Sequence, residues 1–151
     1  MKIQDLISRP EINKDVKLNK AYVQLEKLIN ELRNKELSDE VVDSINVTIE
    51  ELNSISGKGL RNQIKKRQSK IISLIEKEHK IVPKNHYRNT WLAIGMVAFG
   101  MPLGIAFGAS LGNMGYLGIG LPIGLAIGIA IGTKMDKKAF EEGRQLSLEL
   151  E

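Results

Sequence analysis

The chain has 151 residues, enough for one or two small domains, and it contains no cysteine, which excludes disulfides, thiolate metal sites and a thiol nucleophile. Its net charge of +4 hides a sharp division. Residues 1–88 carry 31 charged side chains, residues 89–133 carry none, and residues 134–151 are charged again.

The opening stretch, MKIQDLISRPEINKD, lacks the apolar core of a secretory signal peptide. Three segments with helical periodicity follow. Leu18, Ala21, Leu25, Leu28 and Leu32 recur at three-four spacing and predict one apolar helical stripe. Ser38 suits the N-cap of a second helix, which carries Val41, Val42, Ile45, Ile49, Leu52 and Ile55. SGKG at 56–59 reads as a loop, and Leu60, Ile64, Ile71, Leu74, Ile75 and Ile81 mark a third helix. Pro83 then blocks a simple continuation. The expectation for residues 1–85 is a cytoplasmic domain of three helices, either a closed bundle or coiled-coil contacts with other copies.

Charge is segregated within this domain. Residues 36–57 hold six acidic groups and no basic one, whereas residues 58–88 hold ten basic and two acidic groups. Lys65, Lys66, Arg67 and Lys70 invite a nucleic-acid reading, but no aromatic platform or recognition motif accompanies them. A cationic segment ahead of an apolar run is explained more simply by membrane topology and by attraction to anionic headgroups.

The apolar region predicts a two-helix transmembrane hairpin across 86–135. Spans at about 91–112 and 116–133 would reach roughly 33 Å and 27 Å, against a hydrocarbon core of about 30 Å. Asn113, Met114 and Gly115 suit the turn between them. Lys77, Lys80, Lys84 and Arg88 precede the first span, Lys134, Lys137, Lys138 and Arg144 follow the second, and the turn is uncharged. The positive-inside rule then predicts a multi-pass protein of the cell's inner (cytoplasmic) membrane, with both termini cytoplasmic and 136–151 a cytoplasmic tail. Tyr87, Arg88, Trp91, Tyr116 and Lys134 are the expected interfacial anchors. The fold class is therefore all-α.

Glycine recurs every fourth residue in both spans: Gly100, Gly104, Gly108 and Gly112, then Gly120, Gly124, Gly128 and Gly132. Each set forms a slowly winding ridge where helix backbones can approach closely. A second small face lies about 200° away, with Ala98, Ala106 and Ser110 in the first span and Gly118, Ala126 and Ala130 in the second. Pro102 and Pro122 occupy equivalent positions and are the expected kinks, since each removes one backbone bond. One small face would serve the hairpin partner and the opposite one another subunit.

This pattern, over about 95–132, resembles the broad class of bacterial glycine-zipper membrane proteins. That resemblance implies membrane insertion and helix self-association, but no substrate. Catalytic and cofactor motifs fail. SGKGLR lacks phosphate-loop spacing, and Gly118, Gly120 and Gly124 miss the dinucleotide fingerprint by one residue. His79 and His86 have no ligand cluster, so no catalytic, cofactor or metal site is expected. A proton-carrying ring would need an intramembrane carboxylate, and none lies between Arg88 and Lys134. The expected function is a homo-oligomeric membrane module whose cytosolic helices bind a protein partner or set oligomer size. The alternative is a pore-forming or membrane-permeabilising effector of toxin or defence type.

Overall fold

The computed structural model describes residues 2–8, 12, 15–55 and 59–150. It is mostly helical and divides into two units: Met1–Val82 with Leu146–Leu150, and Pro83–Gln145.

In the first unit the three apolar stripes become α1 (Val16–Leu32), α2 (Asp39–Ser54) and α3 (Leu60–His79). Asp15 starts α1, its carboxylate accepting from the N–H groups of Lys17 and Leu18. Ser38 does occupy the N-cap of α2, but its hydroxyl makes no capping bond; its N–H instead donates to His79 Nε2 at 3.2 Å. The predicted 56–59 loop lies outside the described residues except for Gly59, whose φ of +99° starts α3. Leu25, Leu28, Leu32, Ile45, Ile49, Ile64, Ile71 and Ile75 are almost fully buried in one shared core. Burial of side chains this size contributes about 1.5–3 kcal/mol each, before the chain's ordering entropy is subtracted.

Two further pieces of chain complete that core. Residues 2–8 run extended beside α2, where Asn46 and Asn53 act as strand substitutes. Asn46 Oδ1 accepts from Gln4 N–H at 2.8 Å and Asn53 Oδ1 from Ile7 N–H at 3.1 Å, while Ile3 enters the core. The second piece comes from beyond the apolar region. β1 (Val82–Lys84) pairs with β2 (Gln145–Glu149), and Leu146 and Leu148 of β2 join the core formed by α1–α3. Ser147 N–H donates to Glu31 of α1 at 2.6 Å. The segment expected as a tail is thus part of the first unit, because its alternating leucines supply apolar surface that α1–α3 lack.

The second unit is an antiparallel helix pair. One arm is α4 (His86–Gly95), a π-helical segment (Met96–Gly100) and α5 (Met101–Ser110). The other is α6 (Leu117–Glu141), preceded by a 3-10 turn (Met114–Tyr116). Two stretches, His86–Ser110 and Met114–Glu141, are long and apolar enough to cross a membrane. Both α5 and α6 end in glycine caps of one kind. Gly112 (φ +67°) and Gly143 (φ +68°) take the left-handed position, and the following N–H groups of Asn113 and Arg144 reach back to Gly108 and Ala139.

Candidate functional site

The packing of the helix pair follows from what side chains are missing. A Cβ on Gly104 would lie 2.5 Å from the Leu117 carbonyl oxygen, and one on Gly132 2.5 Å from Arg88 Cα. A Cβ on Gly124 would lie 2.5 Å from the Gly95 carbonyl and 2.6 Å from Gly100 Cα. Gly120 meets the backbone of Gly100 and Gly104, and Gly128 that of Trp91. Gly108 faces Met114, whose sulfur is 3.1 Å from the position of a Cβ. All these glycines are buried, so backbone lies directly on backbone along the pair. Such approach gains dispersion and Cα–H···O contacts where water is absent.

Gly112 departs from the expected ladder. Nothing lies within 4 Å of a Cβ placed there, and its φ of +67° makes it the residue that stops α5. Its place at the other end of the row is taken by Gly95, which is buried against Gly124 and Gly128.

Gly95 sits five residues before Gly100, a spacing that would put it about 140° off the face of a regular α-helix. The π segment between them absorbs the extra residue. Met101 N–H bonds to the Met96 carbonyl, five residues back, just ahead of Pro102, which has no N–H to give. Pro122 has a different setting: it lies inside α6, which continues through it. The two prolines, equivalent in sequence, are therefore not equivalent in structure.

The row on α6 does not stop at Gly132. Four residues further on is Asp136, 6% exposed, whose carboxylate accepts from Tyr87 N–H at 3.1 Å and Arg88 N–H at 2.9 Å. These N–H groups belong to the first turn of α4, where a negative charge is favoured by the helix dipole. Gln145 Nε2 donates to the Asp136 carbonyl at 3.3 Å. One ridge thus supplies closeness for four turns and an anionic cap at the fifth. The sequence signal for Asp136 was the period of four itself, continued past the last glycine.

The second small face is placed quite differently. Ala98, Ala106, Ser110, Gly118, Ala126 and Ala130 are all exposed, and a Cβ on Gly118 would meet nothing within 4 Å. Around them stand exposed large apolar residues, including Val97, Ile105, Phe107 and Ile119. Of the expected anchors, Tyr87 and Arg88 start α4 under Asp136, Trp91 is half-buried against Gly128, and Tyr116 and Lys134 are exposed. His86 stacks edge-on against Tyr87, with ring centres 5.3 Å apart. Among the described residues no group of three or more His, Cys, Asp or Glu is placed to hold a metal ion.

Comparison with family models, curated proteins and solved structures gives no match.

Proposed function

We propose that this is a self-associating integral membrane protein. In this reading α4–α5 and α6 cross the bilayer as a hairpin, and copies meet through the second small face. The observation that carries it is the division of labour between the two small faces. The glycine row is consumed within one chain, while Ala98, Ala106, Ser110, Gly118, Ala126 and Ala130 stay uncovered on a charge-free surface. Small residues at this spacing allow close helix contact in lipid, where apolar side chains gain nothing from leaving the acyl chains and packing must supply the attraction.

The make-up of the first unit supports the topology. Its core draws on residues before the hairpin and on Leu146 and Leu148 after it, so both must lie on the same side of a membrane. Together with the basic flanks this favours a two-span protein of the inner membrane, its helical unit in the cytoplasm. That unit would bind a protein partner or fix the number of copies.

The test is particle mass in nanodiscs for the natural protein, Gly118→Leu and Ala126→Leu. A discrete multimer that falls to monomer in both variants supports the proposal. A monomeric natural protein refutes self-association, and release from membranes by alkaline carbonate refutes the membrane reading as a whole.

A further inference from the structure

The charge map of the first unit contains a surface that helix packing does not use. At about 100° per residue, Arg61, Lys65, Lys66, Lys70 and Lys77 fall within one half of the circumference of α3. All five are exposed. Arg67, on the other side, pairs with Glu51 at 2.6 Å, and Lys77 with its neighbour Glu78 at 3.0 Å. Arg61, Lys65, Lys66 and Lys70 make no ion pair among the described residues.

Beside this row, between α2 and α3, is an open groove of about 520 Å³. Val47, Ile71 and Leu74 line it together with Lys70 and Lys77, and Asp43 is its single acidic residue. Val47 is 52% exposed, an apolar side chain left in solvent next to a cationic row. The volume lies in the range of small-molecule sites, and the lining is the expected mixture of apolar surface with a few charged groups.

We infer that the groove and the basic row bind an anionic phospholipid of the adjoining leaflet, with an acyl chain against Val47 and Leu74 and the phosphate beside Lys70 and Lys77. The inference rests on the membrane reading above. Charge selects the headgroup: this half of α3 holds five cations against one carboxylate, Glu76, and each cation near an anionic surface strengthens binding about fivefold. Chain connectivity selects lipid over an acidic protein helix. Only residues 80–85 join α3 to α4, so a bilayer entered by the hairpin presents its phosphates at high effective concentration, whereas a separate protein would have to arrive by diffusion.

The absence of cysteine allows single-site spin labelling of the full chain. A label at Val47→Cys would be compared in nanodiscs of phosphatidylglycerol and of phosphatidylcholine, with Glu26→Cys on exposed α1 surface as the aqueous control and Ala126→Cys as the membrane control. In phosphatidylglycerol the label at position 47 should gain oxygen collisions and lose collisions with a water-soluble nickel chelate. In phosphatidylcholine, or in 0.5 M salt, it should behave like the label at 26. Lys66→Gln with Lys70→Gln, both exposed and harmless to the core, should weaken the phosphatidylglycerol effect about 25-fold. A label at 47 that stays wet in both lipids, while that at 126 is in hydrocarbon, overturns the inference and leaves an acidic protein as the occupant to seek. Equal protection in both lipids overturns it too. A wet label at 126 removes the membrane reading on which it stands.

Discussion

Alanine at Gly124 and at Gly118 should have opposite effects on the helix pair, although both glycines lie on α6 six residues apart. A Cβ at position 124 would sit 2.5 Å from the Gly95 carbonyl, against the 3.4 Å at which ordinary contact begins, a shortfall of about 0.9 Å. The obstruction is backbone on the facing helix, which cannot swing aside as a side chain can. The helices must part, and a gap of this size forfeits roughly a quarter to a half of each affected dispersion contact. Overpacking of this kind costs about 1–3 kcal/mol and outweighs the gain of up to about 1 kcal/mol from replacing a helical glycine. At Gly118 a Cβ meets nothing within 4 Å, so only the gain remains. The propensity gain is common to both variants, so the expected separation is the overpacking cost, about 1–3 kcal/mol. It would be measured by unfolding each protein from mild detergent into SDS and following helix loss by circular dichroism. Two alanine variants within about 0.5 kcal/mol of one another would refute the close-packed glycine interface.

Asp136→Ala should lower stability by about 1–3 kcal/mol, because the N–H groups of Tyr87 and Arg88 lose a charged acceptor. Amide exchange at those two positions should rise selectively, and unchanged exchange would count against the cap. Leu146→Ala should cost the first unit about 2–5 kcal/mol in thermal or denaturant unfolding, as expected for a side chain only 2% exposed; a loss below about 0.5 kcal/mol would mean that β2 is a tail after all. Hydrogen bonds from Arg144, one of them 2.7 Å from Nε to Oε2, hold the Glu142 carboxyl below the usual glutamate range. Because the folded value is the lower one, this contribution to stability is present above the ordinary glutamate pKa and is lost as pH falls through the depressed value. A carbon-13 titration of Glu142 should show that depressed midpoint, and Arg144→Gln should bring it back.

The parts of the fold governed by local chemistry were legible in the sequence. The charge-free block located the two long apolar helices, and three-four spacing located α1, α2 and α3 within a residue or two. Of the every-fourth glycines, Gly100, Gly104 and Gly108 and Gly120, Gly124, Gly128 and Gly132 lie buried between the two long helices. What escaped depended on exceptions to regular geometry or on distant chain. Gly95 falls outside the period of four because its gap to Gly100 is five, and only the π turn ahead of Pro102 restores it to the face. Gly112 fits the period of four, yet its φ is positive and it ends the helix instead of packing it. Asp136 was overlooked because a charged residue interrupts a glycine pattern in kind, though not in spacing. Leu146 and Leu148 alternate as a strand should, but nothing local says that the partner is Val82–Lys84, more than sixty residues earlier.

The return of β2 to the first core also orders events during synthesis. A ribosome delivers α1, α2 and α3 early, yet the core they share stays open where Leu146 and Leu148 belong. Closure waits until the whole hairpin has been made and the chain has come back through residue 150. The early helices therefore spend the translation of some sixty residues as an unfinished surface. A product broken off within the helix pair would lack Leu146 and Leu148 and leave the apolar surface they cover exposed.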